Sequence, residues 1–368
     1  MDVSVRDEAK AAPAGGPERP ARGAARPQGL RDIAARLQSK PFTPHPLWRG
    51  AHAQTIRAAV RWPRRIRMLR EYLDAERRLF EVEPGVRLLA HCRWQPRREE
   101  SPTLLLVHGL EGSATAVYML GTARTAFRAG FNFVRLNVRN CGGTEHLTPT
   151  LYHSGMSDDL RRVIHELVER DGLKSLFLAG FSMGGNLALK LTGELGEEAP
   201  EELKGVAAVS PSLDLAACAE AIERRENRLY QWSFVRSLRR HVKRKNRLFP
   251  DIYDARDVRR VRTIREYDEL YTARHGGFRD AADYYERCSA LKFIGRIGVP
   301  TLIIHAQDDP FVPFGSFRHP DVASNPNILL LAPERGGHVA FLAGERGEER
   351  YWAENRVVDF FRLLADGR

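Results

Sequence analysis

A chain of 368 residues with 43% apolar content can bury a large core, and with no run of 18 or more apolar residues it is not expected to span a membrane. The net charge of +11 rests on fifty arginines and only eight lysines; no helix-turn-helix or aromatic-basic sheet motif accompanies it, so nucleic-acid binding stays a minor reading. Four scattered cysteines, with no CxxC pair and no histidine cluster, exclude a disulfide framework and a zinc site, and without an apolar leader a reducing cytoplasm is the expected compartment.

Residues 1–29 are rich in Ala, Pro, Gly and Arg and have almost no large apolar side chains. They cannot bury enough surface to offset their chain entropy, which predicts a disordered tail. Residues 30–368 are expected to form a single domain. Leu30, Ile33 and Leu37 suggest a short helix, and the prolines at 41, 44 and 46 then demand an extended path. Two strands, 71–82 and 86–94, flank Pro84-Gly85, an ordinary hairpin signal.

From residue 103 the order becomes regular. The apolar runs 103–107, 131–138, 175–179, 205–209, 301–305 and 328–331 read as short buried strands. Helical patterns at 114–129, 158–170 (with Ser157 as N-cap), 186–191 and 351–364 alternate with them. Such alternation indicates a mostly parallel, doubly wound α/β sheet. One stretch breaks the rhythm. Residues 214–289 hold no apolar strand, and an insertion of this size is expected to lie as a helical cap over the carboxyl ends of the strands. Within it, residues 224–247 carry ten basic side chains interspersed with Tyr230, Trp232 and Phe234. This pattern reads as a solvated helix face, with peripheral contact to anionic lipid as the alternative.

The chemistry-bearing stretch is Gly180-Phe181-Ser182-Met183-Gly184-Gly185, set between a buried strand and a helix. A Gly-x-Ser-x-Gly turn needs small residues on both sides because strand and helix approach closely, and it presents the serine at its apex. Acyl transfer by such a serine requires a base, an acid to orient the base, and donors for the oxyanion. The loop after strand 301–305 offers Asp308 and Asp309 as the acid, with Asp309 preferred for its spacing to Pro313. The Gly336-Gly337-His338 loop after the last strand offers His338 as the base. His108-Gly109-Leu110 ends the first buried strand, so the amides of Leu110 and Met183 are the expected oxyanion donors, with His108 bracing the loop. The loop Arg139-Asn140-Cys141-Gly142-Gly143 is read as structural.

Further stretches carry a resemblance. Gln54-Thr55-Ile56, His108-Gly109-Leu110-Glu111-Gly112-Ser113, the Arg139 loop, Tyr152-His153-Ser154-Gly155, the Ser182 stretch through Asn186, Asp283-Tyr284-Tyr285, Asp308-Asp309-Pro310-Phe311 and Gly337-His338-Val339 together resemble the YheT-like branch of the α/β-hydrolases. Its members include bacterial carboxylesterases, fungal medium-chain ethyl-ester synthases and animal membrane-anchored phospholipases. The resemblance implies the α/β-hydrolase fold, a triad of Ser182, Asp309 and His338, and a cap in the middle segment. It implies a small or lipid-like acyl ester as substrate and neither metal nor organic cofactor. The expected activity is a serine carboxylesterase for short or medium acyl esters. Transfer of the acyl group to an alcohol, phospholipase action, and non-catalytic binding of anionic lipid or nucleic acid are the alternatives. Without an N-terminal anchor, the soluble esterase is favoured over the phospholipase.

Overall fold

The structure is a computed structural model that describes residues 27–59 and 63–367. Their framework is one eight-stranded sheet of order β1-β2-β4-β3-β5-β6-β7-β8. Strands β1 (Glu76–Glu83) and β2 (Val86–Arg93) form an antiparallel hairpin that turns through Gly85 at φ 75°. Strand β1 buries Phe80 and Val82 and leaves most of its other side chains exposed, as an edge strand does. The next strands, β3 (Thr103–Val107), β4 (Asn132–Leu136), β5 (Leu176–Phe181), β6 (Leu203–Val209), β7 (Thr301–Ile304) and β8 (Ile328–Leu331), all run parallel. β2 joins them antiparallel through β4.

Strands buried on both faces alternate their side chains between two cores. Leu104 and Leu106 of β3 join a cluster with Leu30, Ile33 and Leu37 of helix α1 (Pro27–Gln38). The short helices α2 (Ala51–Ala59) and α3 (Pro63–Leu69) follow in the chain, and α4 (Val117–Arg128) packs into that same cluster. Leu105 and Val107 face the other way, toward α5 (Ser157–His165) and α6 (Met183–Leu195). This two-sided cover is what turns continuous apolar runs into strands, since one buried face would require only every second residue to be apolar.

Between β6 and β7 the described residues hold only helices and turns. They comprise α7 (Leu215–Glu223), α8 (Arg228–Leu248), α9 (Ile264–Tyr267), α10 (Arg274–Gly276) and α11 (Ala281–Cys288). Helix α12 (Pro320–Ser324) precedes β8, and α13 (Trp352–Ala365) returns to the first core.

Three local expectations need correction. The tail expected over 1–29 lies outside the described residues as far as residue 26, but residues 27–29 already belong to α1. Its first turn is drawn in because Leu30 and Ile33 are buried against the sheet. Residues 70–72 form a 3₁₀ turn that buries Tyr72, so the first strand begins at Glu76. Ser157 is the first residue of α5 and does not cap it. Its hydroxyl donates to Glu194 Oε2 at 2.6 Å and accepts from Lys190 Nζ at 3.1 Å, so α6 captures the group that would otherwise cap α5.

Candidate active site

The turn from β5 into α6 is tight enough that its glycines are obligatory. A Cβ on Gly180 would lie 2.1 Å from the Gly184 carbonyl oxygen, and one on Gly184 would lie 2.5 Å from the carbonyl oxygens of Val107 and His108. Between them Ser182 is held at φ 53°, ψ −119°, a conformation that costs a non-glycine residue about 1–3 kcal/mol and survives only where its surroundings fix it. The amide of Ser182 donates to the Val209 carbonyl at 2.9 Å, and Asn186 ties the following helix to two other segments. Asn186 Nδ2 donates to the carbonyls of Ser154 and Cys288, each at 2.9 Å, and its Oδ1 accepts from the Ala290 amide at 2.9 Å.

The loops after β7 and β8 bring the other two candidates to this apex. His338 Nε2 lies 3.0 Å from Ser182 Oγ, and His338 Nδ1 lies 2.8 Å from Asp309 Oδ2. Asp309 Oδ1 accepts from the amides of Phe311 and Val312 at 2.9 and 3.1 Å. Burial opposes ionisation of Asp309, but His338, His305 and the Phe311 amide outweigh it and hold the carboxyl below its ordinary range. Asp308 behaves in the opposite way: burial raises its carboxyl, and its Oδ1 accepts from the Gly337 amide at 2.9 Å. The structure therefore brings Asp309 to the histidine and gives Asp308 to the histidine's own loop.

Both expected oxyanion donors, Leu110 and Met183, line the same cavity as Ser182 and His338. Met183 opens α6, so its N–H has no acceptor within the helix, and the positive end of the helix dipole faces the serine. The amides on either side of Leu110 are fixed by tyrosines. Gly109 N donates to Tyr118 Oη and Glu111 N to Tyr152 Oη, each at 3.1 Å. His108 is wholly buried, and burial lowers its pKa to about 4, so it is neutral. It donates from Nδ1 to the Gly109 carbonyl and accepts at Nε2 from the Val138 amide, which braces this loop. Cys141 packs with Leu136 and Val138 in the core, while Arg139 beside it ties Asp159 to Glu83.

The cavity encloses about 110 Å³. That is somewhat less than the roughly 150 Å³ that admits a benzene ring, so it suits a slender chain. Its walls are mainly apolar, with Leu215, Ile222, Phe234, Leu238, Tyr284 and Phe311 among them, and several of these come from the 214–289 insertion. Cys218 also reaches the wall, but burial raises its thiol well above the ordinary range, so it offers no thiolate to compete with the serine.

Four contributions were not foreseen from the sequence. Thr55 Oγ1 accepts from the His338 amide at 2.9 Å, and Gln54 clasps both the amide and the carbonyl of Leu342. The adjacent polar pair in a short alanine-rich helix is a signal that it faces something polar. Glu111 is the second contribution, joining the Leu110 loop to α8 through Ser237 and His241. A third is Asn186, described above. The fourth is Asp268, a buried carboxyl on the cavity wall that accepts from Tyr285 Oη at 2.8 Å and Thr272 Oγ1 at 2.7 Å. Burial pushes its pKa up to about 6. An acid at helical spacing from Tyr271 and Thr272, on an apolar face, could have marked it.

Comparison with known proteins agrees with this fold. A family model described as the alpha/beta hydrolase fold matches residues 102–345. YheT of Escherichia coli, which carries an esterase name, is 32% identical over 332 residues, covering 90% of this chain and 95% of that protein. The mouse phospholipase ABHD3 is also 32% identical, but over 66% of this chain and 59% of its own length. Among solved structures, the Pyrococcus furiosus esterase Pf2001 superposes with a TM-score of 0.53 at 16% identity, covering 84% of this chain and 96% of that one. No described helix is long and apolar enough to cross a membrane.

Proposed function

The chain belongs to the α/β-hydrolase family, in the branch that holds YheT, and on that premise we propose that it is a serine carboxylesterase for short- to medium-chain acyl esters. The observation that carries this reading is the unbroken relay from Asp309 Oδ2 through His338 to Ser182 Oγ, 2.8 Å and then 3.0 Å, opening on a narrow apolar cavity.

The chemistry follows from the contacts. Asp309 accepts a hydrogen bond from the His338 Nδ1–H, which fixes the proton on Nδ1 and leaves Nε2 with a free lone pair facing the serine. As Ser182 Oγ bonds to the ester carbon, its proton passes to Nε2, and the amides of Leu110 and Met183 receive the oxyanion. Collapse of that intermediate breaks the bond to the alkoxy group, which leaves as the alcohol with the proton from Nε2. Water then repeats the sequence on the acyl-enzyme and restores the serine. Each methylene of the acyl chain buried in the cavity adds about 0.8 kcal/mol of binding, until the available length is filled.

The test is hydrolysis of p-nitrophenyl esters of increasing acyl length by the wild type and by Ser182→Ala. We expect the variant to lose roughly 10⁴- to 10⁶-fold in kcat and the wild type to show a burst of one p-nitrophenol per chain. Equal rates in the two proteins would remove Ser182 from the mechanism. Adding ethanol and analysing products separates hydrolysis from acyl transfer, since both pass through the same acyl-enzyme and differ only in the acceptor.

A further inference from the structure

Helix α8 has two faces of different character. Val235, Leu238, His241, Val242 and Lys245 are buried, and Phe234 and Leu238 reach the Ser182 cavity. Lys245 is locked in place by Asn140 Oδ1 at 3.0 Å and by the carbonyls of Glu145 and Thr148. On the outer side Trp232, Arg236, Arg240 and Lys243 follow one another at helical spacing, all exposed, with Arg228 and Leu229 one turn earlier. Leu229 is 80% exposed and Trp232 63%. Leu248 and Ile252 continue the apolar character at the far end, each about half exposed.

The charge on this face is uncompensated. Among the described residues, no carboxylate pairs with Arg228, Arg236, Arg240 or Lys243. Glu223, the last residue of α7, is 3.9 Å from Arg265 instead. The Arg236 guanidinium lies 5.4 Å from the centre of the Trp232 ring, so the aromatic group is held among the cations. A row of like charges repels itself in water, and an exposed tryptophan beside an exposed leucine gains nothing there. Both features become favourable at one kind of surface. Anionic headgroups compensate the cations, while Trp232 and Leu229 enter the boundary between headgroups and acyl chains. A nucleic acid would satisfy the cations and the ring but offers no apolar layer to Leu229.

We propose that the outer face of α8 docks on an anionic lipid bilayer. The helix is about 10–12 Å across with its side chains, so a bilayer seated there lies one helix diameter from the cavity that Phe234 and Leu238 line.

The experiment is co-sedimentation of the full chain with phosphatidylcholine vesicles, alone or mixed with phosphatidylglycerol, and with a DNA duplex titrated in parallel. Binding is expected on the mixed vesicles only, and it should collapse as salt rises from about 0.1 to 1 M and the screening length falls from about 10 to 3 Å. Replacing Arg236, Arg240 and Lys243 together by Gln should weaken binding about a hundredfold, at roughly fivefold per charge. The double variant Arg236→Lys/Arg240→Lys should bind as the wild type does. None of the three positions lines the cavity, so hydrolysis of a soluble ester reports whether each variant is folded. If the triple variant does not fold, the salt titration and the lysine variant carry the test. Equal binding to neutral and anionic vesicles, wild-type binding by a folded triple variant, or tighter binding to DNA than to vesicles would each overturn the proposal.

Discussion

Replacing Asp309 by Asn tests the relay at its most constrained atom. Oδ1 accepts the Phe311 and Val312 amides at 2.9 and 3.1 Å, so an amide side chain at 309 satisfies both N–H groups only by placing its oxygen there. Its NH₂ then takes the place of Oδ2, 2.8 Å from His338 Nδ1. Nδ1 is thereby forced to accept, the imidazole proton moves to Nε2, and the nitrogen 3.0 Å from Ser182 Oγ can no longer take a proton. Recovering the working tautomer means turning the amide over and leaving two buried N–H groups unpaired, at about 1–3 kcal/mol each. The resulting 2–6 kcal/mol corresponds to a fall in kcat between about thirtyfold and a few times 10⁴-fold. Asp308→Asn keeps an oxygen for the Gly337 amide and should fall less than about tenfold. Steady-state hydrolysis of a p-nitrophenyl ester by the two variants decides the matter. A loss below tenfold for Asp309→Asn, or a larger loss for Asp308→Asn, would refute the assignment of Asp309 as the orienting acid.

Two further outcomes are expected. Thr55→Val keeps the shape of the side chain but leaves the His338 amide unpaired, which should lower kcat about five- to a hundredfold, while Thr55→Ser should restore it; unchanged rates for the valine variant would show that the bond does not position the base. Asp268 binds its proton more tightly folded (pKa about 6) than at its ordinary 3.8, so stability falls as pH rises through that window and the cost is complete above it. Asp268→Asn should therefore be more stable than the wild type at pH 8 by up to about 3 kcal/mol in urea melts, with the gain shrinking toward zero as pH falls from about 6 to 4. A gain independent of pH would place its origin elsewhere.

The parts of the site that the sequence made legible are those that lie just beyond an apolar run. Ser182, Asp309 and His338 each follow a short apolar strand, fully buried for β5 and β7 and half-buried for the edge strand β8, so the apolar run that locates the strand also locates the loop. The choice between two neighbouring aspartates is decided physically by the Phe311 and Val312 amides, which hold only one carboxylate in line with His338. Contacts between distant segments left no such trace. Glu111 and His241 are 130 residues apart, and nothing in either neighbourhood announces the other. Ser157 departs from its expected capping role for a related reason: a polar residue before an apolar helix looks like a cap until Lys190 and Glu194 claim its hydroxyl.

The bond from the His338 amide to Thr55 spans 283 residues, with Gln54 bound to Leu342 beside it. On the ribosome the helix that carries Thr55 is made early and waits for its partner. At about 5–20 residues per second the interval is roughly 15–60 s. For that time the polar groups of Gln54 and Thr55 face water or a substitute partner, and the Ser182 turn can form without His338 beside it. Catalytic competence should therefore arrive abruptly, only after the last strand and the loop beyond it have left the exit tunnel.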